Sequence, residues 1–217
     1  MLASDLITRA RILLHDETPV RWSDVELLLW LSDALRDLAT FVPESYVVTS
    51  KVALAANASR QSLPATATRL FDVTRNMGAS GSTPGSVIRL VDRKILDQID
   101  PDWPQTMGTT VEHYIYDFKN PLSYMVYPRP TAATFVELVH GAMPPEVTAL
   151  NTTIPLSDMY VSAVLDGVVF RAMSKDAEFG NAQLAAAYKQ MFDARVAQIV
   201  TVTAQRTPAD ASGGSQA

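Results

Sequence analysis

Residues 21–42, RWSDVELLLWLSDALRDLATFV, carry their apolar side chains at a helical period. Ser23 stands where an N-cap belongs, and Glu26 follows three residues later, which makes a capping box. Trp22 and Leu27 are spaced for a hydrophobic staple across that cap. At about 100° per residue, Glu26, Asp33, Arg36, Asp37 and Thr40 gather on one narrow stripe. Leu27, Leu28, Trp30, Leu31, Ala34, Leu35, Leu38, Ala39, Phe41 and Val42 spread over roughly 180–200°, where an ordinary surface helix needs about 100°. Leu29 falls beside the polar stripe. Two coverings fit so wide an arc. The helix is central in its own bundle, or one flank meets its own domain and the other meets a neighbouring subunit. We favour the second, with Trp22, Leu27, Trp30, Ala34 and Phe41 as the subunit interface.

The periodicity divides the rest of the chain. Residues 4–16 place Leu6, Ala10, Leu13 and Leu14 on one helical face behind Ser4 as cap, and residues 15–19 break that helix. From about residue 45 the period shortens to two. YVVTSKVAL (46–54) puts Tyr46, Val48, Val52 and Leu54 on one side, with Ser50 the polar exception. RLFDVTRNM (69–77), SVIRLVD (86–92), VEHYIYD (111–117), LSYMVYP (122–128) and TFVELVHGA (134–142) read as further strands. GASGSTPG (78–85) is a turn, residues 118–121 close a hairpin, and RKILDQID (93–100) is a short helix in a connection. Helical period returns after Ser157, with Val161, Val164, Leu165, Val168, Val169 and Ala172 on one face. Gly167 interrupts that face as a tolerated defect or as a close helix crossing. A second helix bends away near Gly180, with Leu184, Tyr188, Met191 and Ile199 as its stripe. Residues 201–217 lose the period and read as a flexible tail.

The expected fold is therefore α+β. N- and C-terminal helices (1–44 and 151–200) form one bundle, and an antiparallel β-sandwich or small barrel (45–150) is inserted between them.

Composition narrows the function. A net charge of −5 with no basic run argues against affinity for nucleic acid through phosphate neutralisation. No cysteine means no disulfide framework and no thiolate chemistry, and this fits a cytosolic origin. No apolar run reaches the length of a membrane span, and the first residues lack the pattern of a signal peptide. A charged fraction of 19% leaves few polar groups to cover a mid-sized surface, which favours an oligomer.

The chain offers little to a chemist. His15, His113 and His140 sit at unrelated positions, outside any metal-ligand spacing, and no cofactor is expected. Asp92, Asp97, Asp100 and Asp102 crowd one segment, but Arg93 and Lys94 lie among them, and solvated loop charges are the simpler account. Tyr114, Tyr116, Tyr124 and Tyr127 cluster on the expected hairpin, as a stacking platform or as cross-strand pairs that steady the sheet. Trp103 reads as an anchor for a loop on the sheet or on a partner.

The order of RWSDVELLLWLSDALRDL, RLFDVTRNMG, SVIRLVDRKILDQIDPDW, YIYDFKNPLSYMVYP and SDMYVSAVLDGVVFRAMSKDAEF resembles the head-to-tail adaptor proteins of short-tailed phages, also called tail tubular protein A or portal adaptors. The resemblance covers about residues 1–200. It implies an architectural virion protein with no catalytic residues, assembled as a homo-oligomeric ring of twelve copies below the portal. Such a ring joins the portal to the tail nozzle and fibres, and DNA passes through it without specific binding. On that reading Trp103, Tyr114, Tyr116, Tyr124 and Tyr127 belong to a tail-side β domain. Thr201, Val202, Gln205, Arg206 and Pro208 belong to a tail that docks on the portal. Two other readings compete: a glycan-acting tail enzyme built on Asp92–Asp102 and the tyrosine hairpin, and a monomeric module that binds a protein or a sugar.

Overall fold

The computed structural model describes residues 1–175 and 178–206, the last three by backbone alone. In chain order the elements are α1 (Ala3–Leu13), α2 (Asp24–Phe41), β1 (Val47–Ala53), β2 (Arg60–Ser62), β3 (Ala67–Asn76), β4 (Arg89–Leu90), α3 (Arg93–Ile99), β5 (Met107–Gly108), β6 (His113–Tyr116), β7 (Ser123–Tyr127), β8 (Arg129–Pro130), β9 (Phe135–Ala142), α4 (Asp158–Ser174) and α5 (Ala182–Arg206). The α+β class expected from the sequence is the class observed. The elements fall into two compact units, residues 1–45 with the described residues from Pro144 on, and residues 46–143. The return to the helical unit thus comes at Pro144. Val147 is already buried in the helical core, and its N–H donates to the Ser32 hydroxyl at 2.9 Å.

In the helical unit, α1, α2, α4 and α5 share one core. The capping box forms as the sequence requires: the Glu26 N–H donates to Ser23 Oγ at 3.3 Å, and the Ser23 N–H donates to Glu26 Oε2 at 3.1 Å. Trp22 and Leu27 are both buried in the same cluster. The first helix differs from expectation. It starts at Ala3, and Asp5 accepts the Leu2 N–H, so Ser4 lies inside the helix rather than capping it. Ser157 is the N-cap of α4 by backbone, without a side-chain cap bond. Gly167 resolves as a close crossing: a Cβ there would stand 3.0 Å from the Ala34 Cβ and 3.4 Å from the Phe192 ring. The last helix runs on through Arg206. The expected tail is thus helical over 201–206, continuing a helix that packs on the core through Ala185, Tyr188, Phe192, Val196 and Ile199, whereas Leu184 and Met191 of the expected stripe are exposed. Residues 207–217 of the expected tail lie outside the described residues.

In the β unit, three strands lie in the order β1-β9-β3 and four in the order β2-β7-β6-β4, with β5 and β8 as a short separate pair. Leu70, Val73, Val136 and Leu138 of the first sheet share a core with Tyr114, Tyr124 and Val126 of the second. The three-stranded sheet is antiparallel throughout, whereas β4 runs parallel to β6 at the edge of the four-stranded sheet and β5 runs parallel to β8. Among the described residues no sheet closes into a barrel. The strand expected over 86–92 shrinks to Arg89–Leu90.

The polar exception in the first strand has a clear reason. Ser50 points inward with its even-numbered neighbours and meets the buried His140 at 2.9 Å, Oγ to Nε2. Nδ1 of the same ring faces the Gly141 carbonyl at 3.1 Å, and a carbonyl only accepts. Nδ1 therefore carries a proton and donates to that carbonyl.

Candidate interaction surfaces

The surfaces are best taken element by element. On α2, Leu27, Leu28, Leu31, Ala34, Leu35, Leu38 and Ala39 are all buried in the chain's own structure. Its wide apolar arc is thus mostly closed by helices that arrive from both ends of the sequence. Trp22, Leu27 and Ala34, expected at a subunit interface, have at most 2% of their surface exposed, so their side chains offer nothing to a neighbour. For Ala34 the reason is the crossing at Gly167, which lets α4 come down on it. Two of the five expected residues stay available: Trp30 is half-buried and Phe41 is 58% exposed. At about 100° per residue these two share one margin of the exposed arc, while the exposed Val25 and Leu29 mark the other.

Between those margins runs a charged strip that belongs to this chain's own packing. Arg171 of α4 donates to Asp37 at 2.5 Å and lies 4.0 Å from Asp33. Lys175 pairs with Glu26. That ammonium, together with the Ser23 N–H, holds the Glu26 carboxyl below its ordinary range. On α5, Arg195 donates to the buried Asp166 at 2.5 Å, yet burial keeps that carboxyl above the ordinary value.

A further charged cluster had no signature in the sequence. Arg11, almost buried, donates to Asp16 Oδ2 at 2.8 Å, to Asp24 Oδ1 at 2.6 Å and to the Trp22 carbonyl at 3.0 Å. Asp16 also accepts the N–H groups of Val20, Arg21 and Trp22 at 3.0–3.2 Å. Burial alone would raise its pKa, but those N–H groups and the guanidinium outweigh it and hold the carboxyl below the usual value. The only available hint was a helix break rich in polar residues, and nothing local pairs residue 11 with residue 16.

The tyrosines of the hairpin do not make one platform. Tyr114, Tyr116 and Tyr124 turn to the inner side, where Tyr116 and Tyr124 face each other across β6 and β7. Tyr114 donates to Asp72 at 3.0 Å and Tyr116 to the Pro121 carbonyl at 3.0 Å. Burial raises the pKa of the Tyr124 phenol. Tyr127 falls on the opposite side and stacks with His113 at 6.2 Å. Parity decides this, since Tyr127 is an odd number of residues from Tyr124 along one strand. Trp103 is 1% exposed, packs with Leu96 and Ile115, and donates its ring N–H to Asp97 at 2.7 Å. It anchors a loop on the sheet and has no surface for a partner. What the β unit does expose is the hairpin tip, where Phe118 stacks edge-on against Tyr116 beneath the Arg69 guanidinium.

The crowded carboxylates build the loop. Asp92 caps α3 by accepting the Lys94 N–H, Asp97 holds Trp103, and Asp100 accepts the Thr106 hydroxyl at 2.8 Å. Thr201 and Val202, expected to dock, lie exposed on the last turns of α5. Gln205 and Arg206 continue that helix by backbone, and Pro208 lies outside the described residues. Among the described residues no three His, Asp or Glu side chains form a group able to hold a metal ion. Among them, too, no helix is long and apolar enough to cross a membrane.

The described surfaces thus offer apolar margins on α2 and an exposed aromatic tip on the hairpin. The class, that of a structural adaptor, comes from comparison with protein families. A family model described as SU10 adaptor protein matches residues 1–215, so the chain belongs to the SU10 adaptor protein family, whose members are phage adaptors. No curated protein matches it.

Proposed function

We propose that this chain forms an oligomeric ring of the portal-adaptor kind known from short-tailed phages. The ring joins the portal to the tail nozzle and fibres in the connector of the virion, and DNA passes through its lumen. The observation that carries the reading is the family match over nearly the whole chain. The surface of α2 adds to it: Trp30, Phe41, Val25 and Leu29 remain on a helix otherwise closed by its own fold, and they supply the intersubunit contact. Burying one such side chain contributes on the order of 1.5–3 kcal/mol, and the contact repeats at every step of a closed ring. Twelve copies at −5 each bring about −60 formal charges, and an acidic wall repels DNA and lets it slide. The exposed end of α5, with Thr201 and Val202 on its last described turns, is the portal-facing part, and the β unit faces the tail.

The test is imaging of negatively stained particles after the chain is mixed with the portal from the same phage. Ring-shaped density added below the portal is the expected result. A portal left bare at saturating chain concentration would sink the reading.

A further inference from the structure

Among the described residues, every sheet edge but one is short or irregular. Strands β2 and β4 are edges of three and two residues, too short to template another strand. On β3 the pairing with β9 shifts register three times, and the Arg75–Val87 bridge covers part of its outer side. The remaining edge, β1, is seven residues long, pairs with β9 in unbroken register and contains no proline. The direction of its free groups follows from the ladder. The Leu54 N–H donates to the Thr134 carbonyl, and the Ala142 N–H donates to the Tyr46 carbonyl. Antiparallel pairing alternates, so even-numbered residues bond to β9 while Val47, Thr49, Lys51 and Ala53 turn their N–H and C=O groups outward. All four are exposed. The next outward residue, Ala55, is already satisfied: the Gln61 amide accepts its N–H at 2.7 Å and donates to its carbonyl at 3.1 Å. The fold thus stops its own edge at residue 55 with a buried side-chain amide and leaves the preceding four positions open.

We infer that the open edge of β1 takes an added strand from another protein of the virion, an extended segment lying along Val47–Ala53 with a carboxylate opposite Lys51. An array of alternating donors and acceptors at strand spacing is matched by extended backbone, which fixes the chemistry of the occupant. Lys51, the only charge on the strand, sits near its middle. Two copies of β1 paired about that point would bring like charges together, so the edge disfavours its own copy and selects an acidic partner strand. The inference rests on the reading of the chain as a virion adaptor.

Hydrogen exchange of the full chain, free in solution and within purified phage particles, tests it. In the free chain the amides of Val48, Ser50 and Val52 exchange slowly and those of Val47, Thr49, Lys51 and Ala53 fast. In the particle the second set should slow by about 100-fold or more. Thr49→Pro removes one outward N–H and no bond to β9, so the variant folds, keeps the slow set and should lose the added protection. Lys51→Glu leaves the backbone intact and should weaken the same protection by opposing the partner's carboxylate. Outward amides that stay fast in particles containing the chain would overturn the inference and leave the adaptor reading standing. So would slowing in a self-assembled oligomer of the chain alone. Absence of the chain from particles would overturn both.

Discussion

The helical unit and the β unit solve the same problem, polar groups in a packed interior, with different chemistry. The helical unit uses ions: Arg11 with Asp16 and Asp24, Arg171 with Asp37, Arg195 with Asp166. The interior of the β unit uses neutral groups, while carboxylates such as Asp72 and Asp97 stay exposed and accept from Tyr114 and Trp103. Gln61 fills for a missing strand, the Asn76 side chain donates to Val111 and Ser86 and accepts the Val111 N–H, and Ser50 meets the buried His140. Overall charge follows the same division. The helical unit holds nine Lys and Arg against fifteen Asp and Glu, a net −6, while the β unit holds nine against eight, a net +1. Ion pairs lock helices into one crossing but tie the unit to pH, whereas amides and hydroxyls hold loops at any pH near neutral. The difference teaches where each unit is vulnerable.

The largest expected effect is at Arg11. Arg11→Met strands the buried Asp16 charge and should cost about 3–5 kcal/mol, read by chemical denaturation of the helical signal. Gln61→Leu is the matching break in the β unit. It leaves the Ala55 N–H and carbonyl without their partner and should cost about 1–3 kcal/mol. If the two losses were equal, the contrast between ionic and neutral fasteners would fail.

Acid sharpens the comparison further. The folded Asp16 carboxyl titrates below its unfolded value near 3.8. Its contribution is complete above that value and is lost as pH falls through the lower folded value. Thermal melts of the helical unit should therefore fall steeply in that acid window, and Asp16→Asn should flatten the fall while lowering stability at neutral pH. The smallest effect on stability is expected at Phe41, exposed and outside the core. Phe41→Asp should change the stability of the free chain by less than about 0.5 kcal/mol. The same change should abolish ring formation in sedimentation or imaging, if the α2 margin is the contact.

Local chemistry was the legible part. The box at Ser23 and Glu26 needs only four residues, and it appears as read. The width of the α2 arc was also legible, but not its cover. Ala34 meets a glycine at position 167, and no periodicity reports a contact across that separation. The tyrosine hairpin shows the same limit in a sheet. Clustering along the sequence was visible, but a step of odd length sends Tyr127 to the face opposite Tyr124. At the C-terminus, small and polar residues read as a tail, yet the helix runs on through Arg206, past Ile199, which packs on the core. The β1 edge needed pairing register, which only the fold supplies.

The helical unit is written in two pieces, with the whole β unit between them. On the ribosome, α1 and α2 emerge first and wait while roughly a hundred residues are added, about 5–20 s at bacterial rates of translation. During that interval the side of α2 destined for α4 has nothing to lie against. The clasp of Arg11 on Asp16 and Asp24 is complete within the first two helices and is available from the start. It needs nothing from the last third of the chain, so its partners are all made before the β unit.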